Sequence, residues 1–383
     1  MTLDELLRDE PLRRREFPVV ARKMFLAHAG TSPLPRCVAE AMREYLAAAA
    51  RDGQDDCLPR GFVLETRQLA AQLLGCTPQE IALLGPTALG LSLVANGLDL
   101  PPGSNIVCYA DDYPTNVYPW RLRKGNNVEV RTVRPKRPGE VTLESVAEVV
   151  DERTRLVALA SSHFLTGYRL DVGAIGKFLG ERGSLFCMDG IQTLGALRTT
   201  VEHVDFLAAD SHKWLLGPNA AGVVFVRRKR FDLLRPTLLG AANVISPSFI
   251  TQDAFAFPQH AGRYEPGALN LVGIVGLHAC LRLIAELGIE AIEHRVLSLA
   301  GWLVSRLQTK DYEILGPTSG PAMTGIVSCR KPGADMEVIH ARLGERGVVT
   351  SLRVTHQGEK VVRFSPHFYN TEAELERVVA LLP

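Results

Sequence analysis

The sequence offers little that would mark a membrane, secreted or metal-binding protein. Its seven cysteines, at positions 37, 57, 76, 108, 187, 280 and 329, form no CxxC pair. This spacing excludes a disulfide framework and the common zinc sites, and it favours a reducing, cytoplasmic setting. The N-terminus lacks the apolar core of a signal peptide, and no stretch approaches the roughly 18 uninterrupted apolar residues of a membrane span. We therefore expect neither a membrane partner nor a metal.

An excess of charge of one sign is also missing. The chain carries 43 basic and 42 acidic side chains, for a net charge of +1, whereas nucleic-acid-binding proteins concentrate basic charge. No nucleic-acid partner is expected. The pattern GxGxxG is absent too, which argues against a nicotinamide dehydrogenase. Lysine is scarce, with 9 residues against 34 arginines, so a lysine in an unusual setting is easy to recognise.

With 383 residues, of which 46% are apolar, the chain is long enough for two or three domains and a large core. Short apolar runs alternate with helix-like stretches through residue 226. This alternation, with runs that are apolar on both faces, is typical of a mostly parallel α/β sheet covered by helices. The seven predicted strands are 81–85, 105–109, 128–133, 156–161, 184–188, 205–209 and 222–226.

The pattern changes after residue 226. Residues 270–309 have the period of one long apolar helix that breaks near Gly288, and short strands and helices follow to the end of the chain. The sequence therefore predicts a smaller α+β domain at the C-terminus. We expect an N-terminal segment at 1–24 that packs on the small domain, a large domain at 25–255 and the small domain at 256–383.

Ligands of open α/β sheets bind beyond the carboxyl ends of the strands, and two residues at these ends stand out. Asp189 ends the apolar run SLFCM, with no Arg or Lys within six residues. Because a buried carboxylate needs a cationic partner, Asp189 is either a helix N-cap or the partner of a bound cation such as a protonated pyridine nitrogen. Lys213 either extends to solvent over Trp214 or is a desolvated amine with a lowered pKa, suited to a Schiff base.

Two further residues complete the set. Thr87 opens a predicted helix after a Gly-Pro turn, where free N–H groups bind phosphate, although threonine is also a common N-cap. Tyr113 follows the strand at 105–109 and offers an aromatic face. A phosphate site, a carboxylate for a ring nitrogen, an amine for an aldehyde and a stacking ring are the requirements of pyridoxal 5′-phosphate (PLP). Together these residues predict PLP as the cofactor.

The lysine region, SHKWLLGPNAAGVVFVRR, resembles that of the class V aminotransferases, which are fold-type I PLP enzymes. This group includes cysteine desulfurases, selenocysteine lyase, kynureninase and isopenicillin N epimerase. The resemblance implies an α/β fold with a mostly parallel seven-stranded sheet in the large domain and a smaller α+β C-terminal domain. Other stretches match in the expected order along nearly the whole chain: FLAHAGTSPLP (25–35), DYPTNVYPW (112–120), FCMDGIQTLGAL (186–197), RYEPGALN (263–270) and RFSPHFYNT (363–371).

The resemblance implies roles for the residues around the cofactor. Lys213 would form the internal aldimine and move the substrate α-proton, and Asp189 would pair with the pyridinium. Gln192 would hydrogen-bond the ring oxygen, and Tyr113 would stack on the ring. The phosphate would lie among the following residues: Thr87, Ala88, Asp210 and His212. His212 is also expected among the catalytic residues, with Lys213 and Asp189.

An arginine is expected to bind the substrate carboxylate, because a planar guanidinium can donate two parallel hydrogen bonds to it. Arg363 is the preferred candidate and Arg353 the competing one, although Arg353 is equally well interpreted as a surface charge on an edge strand. His28 and His163 lie in segments that border the site in relatives, and each is more simply interpreted as a structural histidine.

The chain departs from the family pattern at three positions. Desulfurases carry a nucleophilic cysteine beside the carboxylate-binding arginine, whereas VVTSLRVTHQGEKVVRF contains none, and Cys329 is expected in the core. Desulfuration through a protein persulfide is therefore not expected. Many relatives have threonine at the position of Ala268, which helps hold the partner subunit's phosphate. Asp210 replaces the usual serine, and its charge is unfavourable beside a phosphate unless its side chain turns away.

The resemblance implies an enzyme that takes an α-amino acid through an external aldimine and a quinonoid. By analogy with relatives that carry HKW, we expect a carbon–sulfur lyase performing β-elimination on a cysteine-like or modified amino acid. A class V aminotransferase and an epimerase of the isopenicillin N epimerase type are the alternatives. A non-catalytic descendant is disfavoured by the intact Lys213, Asp189 and Gln192. Because fold-type I sites are built at a subunit interface, a homodimer is expected, with 263–270 reaching across.

Overall fold

The computed structural model describes residues 1–123, 127–246, 248, 250–251, 253–254 and 256–383. The strands within these ranges are β1 (Met24–Phe25), β2 (Ile81–Leu83), β3 (Asn105–Tyr109), β4 (Glu129–Val133), β5 (Thr154–Ala160), β6 (Leu185–Asp189), β7 (Phe206–Asp210), β8 (Gly222–Val226), β9 (Glu313–Ile314), β10 (Val327–Arg330), β11 (Val348–Val349), β12 (Ser351–Val354) and β13 (Lys360–Phe364). The α-helices are α1 (Leu3–Arg8), α2 (Glu10–Glu16), α3 (Arg36–Ala49), α4 (Phe62–Leu74), α5 (Thr87–Gly97), α6 (Tyr118–Leu122), α7 (Leu143–Ala147), α8 (Val172–Glu181), α9 (Leu271–Leu287), α10 (Ile289–Gln308), α11 (Met336–Glu345) and α12 (Glu372–Leu381).

The large sheet has seven strands in the order β2-β8-β7-β6-β5-β3-β4. The strand β8 runs antiparallel to both of its neighbours, β2 and β7, and all the other pairings in this sheet are parallel. The prediction of a mostly parallel seven-stranded α/β sheet is therefore confirmed. Because parallel strands point the same way, the chain leaves β2, β3, β5, β6 and β7 at one edge of the sheet, where a ligand can bind.

Helices cover both faces of this sheet. In β3, Ile106 and Cys108 join a cluster that includes Leu91 of α5, whereas Val107 and Tyr109 join the cluster on the opposite face. Since neighbouring side chains of a strand point to opposite faces, a strand covered on both sides has to be apolar at every position. This requirement explains the uninterrupted apolar runs of the sequence.

The long helical stretch of the second half is broken at Gly288, as predicted. Gly288 has a φ of 81°, a conformation that other residues rarely adopt, and α9 and α10 meet there at an angle of 83°. The apolar side chains of α9, among them Leu277 and Cys280, share the core of the large sheet, and α9 packs against α3 and α4.

Within the described ranges, no single helix is both long and apolar enough to cross a membrane, and only the bent α9–α10 pair, taken together, meets the criteria of length and composition.

The C-terminal part forms a second, four-stranded sheet in the order β12-β13-β10-β9, and its described pairings are antiparallel. Side chains from α10, α11 and α12 form a separate apolar core with this sheet, including Leu303, Val362 and Leu375. A smaller α+β unit was predicted here. Its sheet carries Arg353 on β12 and Arg363 on β13, and the register of these two strands determines how the two arginines lie relative to each other.

The N-terminal helices are fixed to the C-terminal part. Arg13 of α2 is buried, and its Nη1 donates to Glu374 at 2.9 Å and to the carbonyl of Tyr369 at 3.0 Å. Phe17 stacks on Tyr369, with 4.2 Å between ring centroids. These contacts support a docked N-terminal segment, and the proposed limits at 24/25 and 255/256 stay predictions.

Candidate active site

Asp189 is the last residue of β6, in the middle of the large sheet, and its side chain is buried. One carboxylate oxygen accepts the N–H of Ile191 at 3.0 Å, and no α-helix begins there. Among the described residues, no cation lies within ion-pair distance of this carboxylate. Burial raises the pKa of Asp189 to about 7, with a further contribution from the charge of Asp112. A buried acceptor of this kind is complementary to a cationic N–H group of a ligand.

Lys213 lies in the turn that follows β7 and does not reach solvent over Trp214. Only 9% of Lys213 is exposed, and in the described part of the chain its Nζ makes no hydrogen bond or ion pair. Burial lowers the pKa of Lys213 to about 8, an effect that Asp189 opposes and that Arg363 and Arg353 reinforce. An amine with this pKa is partly unprotonated near neutral pH, as a nucleophile or a general base must be.

Gln192 is buried in the turn after Asp189 and is fixed by two hydrogen bonds. Its Oε1 accepts the indole N–H of Trp214 at 2.9 Å, and its Nε2 donates to the carbonyl of Ala29 at 3.2 Å. The turn that follows Asp189 is thereby linked to the turn that carries Lys213. The predicted contact of Gln192 with a cofactor oxygen stays a prediction.

Asp210 ends β7, and its carboxylate is turned toward donors of the chain. It accepts the N–H groups of Ser211, Ala220 and Ala221, and it accepts Nδ1–H of His212 at 2.7 Å. The unfavourable charge noted in the sequence is thus engaged by the chain, and Asp210 orients His212. Its predicted contact with the cofactor stays a prediction.

The phosphate site predicted from the sequence lies at the start of α5. Thr87 is the first residue of this helix, and no side chain caps the helix N-terminus. The hydroxyl of Thr87 accepts the N–H of Asp210 at 2.9 Å, which joins the helix to the end of β7. In the described structure the N–H groups of Thr87 and of the half-buried Ala88 are available to an anion, which the helix dipole also favours. The next N–H of this turn, that of Leu89, donates to the carbonyl of Pro86 at 2.8 Å.

Tyr113 presents its ring beside the lysine. The ring is 45% exposed, and its centroid lies 5.3 Å from Nζ of Lys213 and 5.4 Å from the ring of Phe164. An open aromatic face next to a buried amine suits the stacking of a planar ring. The structure thus brings Tyr113 to Lys213, and the predicted stacking of Tyr113 on a cofactor ring stays a prediction.

The sequence reasoning missed the contribution of Asp112. This buried carboxylate accepts the N–H of Tyr113 at 2.7 Å, Nδ2–H of Asn116 at 3.0 Å and the N–H of Ala160 at 3.3 Å. Burial raises its pKa to about 6, and Lys213 acts in the opposite direction. Asp112 therefore ties the Tyr113 loop to the end of β5. The spacing DYPTN, with an amide four residues after a carboxylate, is the signal that could have revealed it.

Arg363 and Arg353 lie on neighbouring strands near Lys213. Arg363 is 1% exposed, and its Nη1 donates to the carbonyl of Phe164 at 2.5 Å, while its Nη2 contacts Oγ of Ser351 at 3.5 Å. Arg353 is half-buried on β12. The Nε atoms of both arginines are buried without a partner in the described structure. Arg353 is thus not a simple surface charge.

The remaining candidates have structural partners. His28 hydrogen-bonds Ser365 and Tyr369, and His163 hydrogen-bonds Thr166 and the carbonyl of Asp111. Cys329 is fully buried in the core of the small sheet, as expected. Ala268 lies in an exposed stretch.

A cavity of about 1030 Å³ adjoins the site. Asp112, His163 and Phe164 line it from the large sheet, and Glu313 and His356 line it from the small sheet. The site therefore has space beside it for more than a short side chain.

Buried histidines give the fold a dependence on pH that can be measured. His367 is buried against Trp214, and burial lowers its pKa to about 4. Between this value and about 6.5 only the unfolded chain binds the proton, so stability is lost as the pH falls through this window. From pH 7.5 to 5, His367 should cost about 2 kcal/mol of unfolding free energy.

Urea unfolding of the wild type and of His367→Gln at pH 7.5 and at pH 5 measures this loss of unfolding free energy. The loss on acidification should be smaller in His367→Gln by that amount, whereas the exposed His203→Gln should behave as the wild type. Equal acid losses in all three proteins would contradict the assignment.

The site fits PLP on four observations. In the part of the chain that the structure describes, Asp189 offers a buried acceptor without a cation, and Lys213 offers a buried amine without a hydrogen-bond or ion-pair partner. The N-terminus of α5 is not capped by a side chain, and Tyr113 offers an open ring. When bound, PLP supplies an electron sink for the bonds at the α-carbon of an amino acid.

Comparison with known proteins agrees with this chemistry. The family model described as Aminotransferase class-V matches residues 24–378. A probable cysteine desulfurase of Methanothermobacter thermautotrophicus is 26% identical over 383 residues, which cover 95% of this chain and 94% of the relative. The isopenicillin N epimerase of Streptomyces clavuligerus is 28% identical over 365 residues, covering 91% and 92%. The apo structure of the cysteine desulfurase of Thermococcus onnurineus superposes with a TM-score of 0.87 at 25% identity, covering 96% of each chain. The chain therefore belongs to the aminotransferase class-V family of PLP-dependent enzymes.

Proposed function

We propose that this PLP-dependent enzyme is a carbon–sulfur lyase that performs β-elimination on a cysteine-like or modified amino acid. The observation that carries the proposal is a pair of buried side chains at the edge of the sheet, Lys213 and Asp189, neither of which has an ion-pair partner among the described residues. Relatives named cysteine desulfurase support an amino-acid substrate that contains sulfur. All seven cysteines are free thiols, and none lies on the β12–β13 segment that carries Arg353 and Arg363. The sulfur therefore leaves with the product rather than on a protein thiol.

The residues of the chain provide the proton transfers of such a reaction. Arg363 binds the α-carboxylate and so orients the α-carbon, and Nζ of Lys213 removes the α-proton as a general base. The Cβ–S bond then breaks, and the sulfur takes up a proton and leaves as a thiol. Addition of water to the remaining product releases pyruvate and ammonium. The overall reaction converts one substrate molecule and one water into a thiol, pyruvate and ammonium.

A panel of substrates tests the reaction type. The holoenzyme is incubated with cysteine, cystine, S-alkyl cysteines, alanine and the two enantiomers of each amino acid. We expect equal amounts of pyruvate and ammonium from the sulfur compounds. Keto acid with pyridoxamine phosphate and no ammonium would instead establish an aminotransferase, and inverted stereochemistry without bond cleavage an epimerase. Either result would replace the lyase proposal.

Arg363→Ala tests the binding of the α-carboxylate. Arg363 is buried near Lys213, its Nε has no partner in the described structure, and a charge-assisted bidentate pair is strong. We expect KM to rise roughly a hundredfold, with a smaller change in kcat. Steady-state kinetics with any turned-over amino acid measure this effect. A rise in KM in Arg353→Ala alone would transfer the role to Arg353.

We further propose a homodimer in a reducing, cytoplasmic compartment. Several large apolar side chains are exposed on α6 and in the 233–245 stretch, as expected of a surface that is covered in an assembly: Tyr118, Leu122, Leu233, Leu238, Leu239 and Ile245. The exposed residues Gly267 and Ala268 lie in the region expected to reach across. Seven unpaired cysteines fit the compartment. Light scattering of the active enzyme should give twice the mass of the chain, and an active monomer would exclude the dimer.

A further inference from the structure

Two arginines lie on one face of the small sheet. The strands β12 and β13 are antiparallel, with Ser351 opposite Arg363 and Arg353 opposite Val361. Residues two apart on a strand share a face, so Arg353 lies on the face of Ser351 and Arg363. The two arginines thus occupy diagonal positions, close enough for long side chains to act on one ligand. The positive charges of both arginines lower the pKa of Lys213, so both lie near its amine.

The two guanidinium groups have no carboxylate partner in the described structure. The buried Arg13, by contrast, pairs with Glu10 and Glu374. Burial and the neighbouring charge of Arg353 lower the pKa of Arg363 to about 9. Two like charges held together without a counter-charge are unfavourable, so a ligand with negative charge is expected to complete this arrangement.

The nearby carboxylates are committed elsewhere. Asp210 accepts four hydrogen bonds from the chain, and Asp112 accepts three. Asp189 lies at the end of β6, where the ring nitrogen of the cofactor is expected. None of these carboxylates forms an ion pair with Arg353 or Arg363 in the described part of the chain. The counter-charge has to come from the substrate, and two unpaired cations match two acidic groups.

We propose that the substrate is a dianionic amino acid, with a carboxylate or sulfur oxyacid on its side chain in addition to the α-carboxylate. Arg363, the more deeply buried arginine, binds the α-carboxylate. Arg353, which lies on the edge strand β12, binds the acidic group on the side chain of the substrate. The adjoining cavity gives such a side chain room. This proposal rests on the proposed function and makes Arg353 a determinant of specificity.

A matched pair of cysteine conjugates tests the proposal on the holoenzyme. S-carboxymethyl-L-cysteine and S-carbamoylmethyl-L-cysteine have nearly the same shape and differ in one negative charge. We expect kcat/KM to favour the carboxymethyl compound by about tenfold or more in the wild type, and this ratio to fall toward one in Arg353→Met. Arg330→Met is the control, since Arg330 lines the adjoining cavity but is paired with Glu313 and Glu359. It should keep the ratio of the wild type.

Binding gives a second readout that does not require cleavage. Calorimetric titration of the holoenzyme with L-glutamate and L-glutamine should show tighter binding of glutamate by about tenfold, and Arg353→Met should remove this preference. If the conjugates are not cleaved but glutamate is preferred, the lyase proposal fails and the dianionic substrate stands. If Arg353→Met weakens the charged and the neutral ligands equally, both arginines bind one carboxylate and the proposal is overturned. Absence of any preference in the wild type also overturns it.

Discussion

Lys213→Ala is expected to lower turnover by at least about a thousandfold, because a single amine carries both covalent attachment to the cofactor and proton transfer at the α-carbon. The structure gives this lysine an unusual state. It is buried, and its pKa falls to about 8, so that near this pH about half of the amine is free base. An exposed lysine is almost fully protonated there. Initial rates on any substrate of the wild type measure the loss.

The same variant separates a catalytic role from a structural one. Nζ of Lys213 has no hydrogen-bond partner among the described residues, so its removal leaves no group unpaired and should change the melting temperature little. Borohydride reduction of the wild type, followed by digestion, should place the cofactor on the peptide that contains residue 213, and this adduct should be lost in Lys213→Ala. The exposed Lys177→Ala is the control and should keep both adduct and activity. An adduct on another lysine would contradict the assignment.

The large sheet was predictable because its strands are buried on both faces. A run such as NIVCY has no polar position for solvent, and each predicted strand begins and ends within two residues of the observed one. The small sheet was less clear. The run VVTSL divides into β11 and β12, which pair with different strands, β1 and β13. A local pattern of apolar residues does not specify such a change of partner.

The site shows the same limit. Asp189 and Lys213 could be found because each lies at or just beyond the carboxyl end of a strand, at the ligand edge of the sheet. For Asp112 the spacing DYPTN signals only the two local partners, whereas its contact with Ala160 at the end of β5 depends on the fold. The orientation of Asp210 likewise depends on N–H groups of the turn at 220–221. Contacts between segments distant in sequence require the folded chain.

The relation of the two arginines is the clearest such case. Arg353 and Arg363 are ten positions apart, and their sequence spacing allows either one to bind a substrate carboxylate. Only the register of β12 against β13 puts them on the same face. From the sequence, Arg353 and Arg363 are alternative ligands of one carboxylate, whereas the structure places them as a pair on one face.

Asp189→Asn is expected to lower kcat roughly a hundredfold while the protein still binds PLP. The amide has the shape of the carboxylate and can accept the N–H of Ile191, but it lacks the negative charge expected to face the ring nitrogen. Removal of a preorganised charge that faces the reacting group typically lowers kcat by about this factor. Steady-state kinetics and the visible absorbance of bound cofactor measure the two effects separately. Full turnover in Asp189→Asn would show that the negative charge of Asp189 is not needed for catalysis.

The same substitution, which lowers kcat, should raise the stability of the cofactor-free protein. Burial raises the pKa of Asp189 from 3.8 to about 7. Between these values the folded chain holds a proton that the unfolded chain has lost, so stability falls as the pH rises through this window and stays low above it. Asp189→Asn avoids this loss and should be more stable than the wild type by a few kcal/mol at pH 8, but not at pH 4. A residue that destabilises the cofactor-free protein but is needed for turnover serves ligand binding rather than folding. If Asp189→Asn instead lowered stability and activity together, Asp189 would be a structural residue.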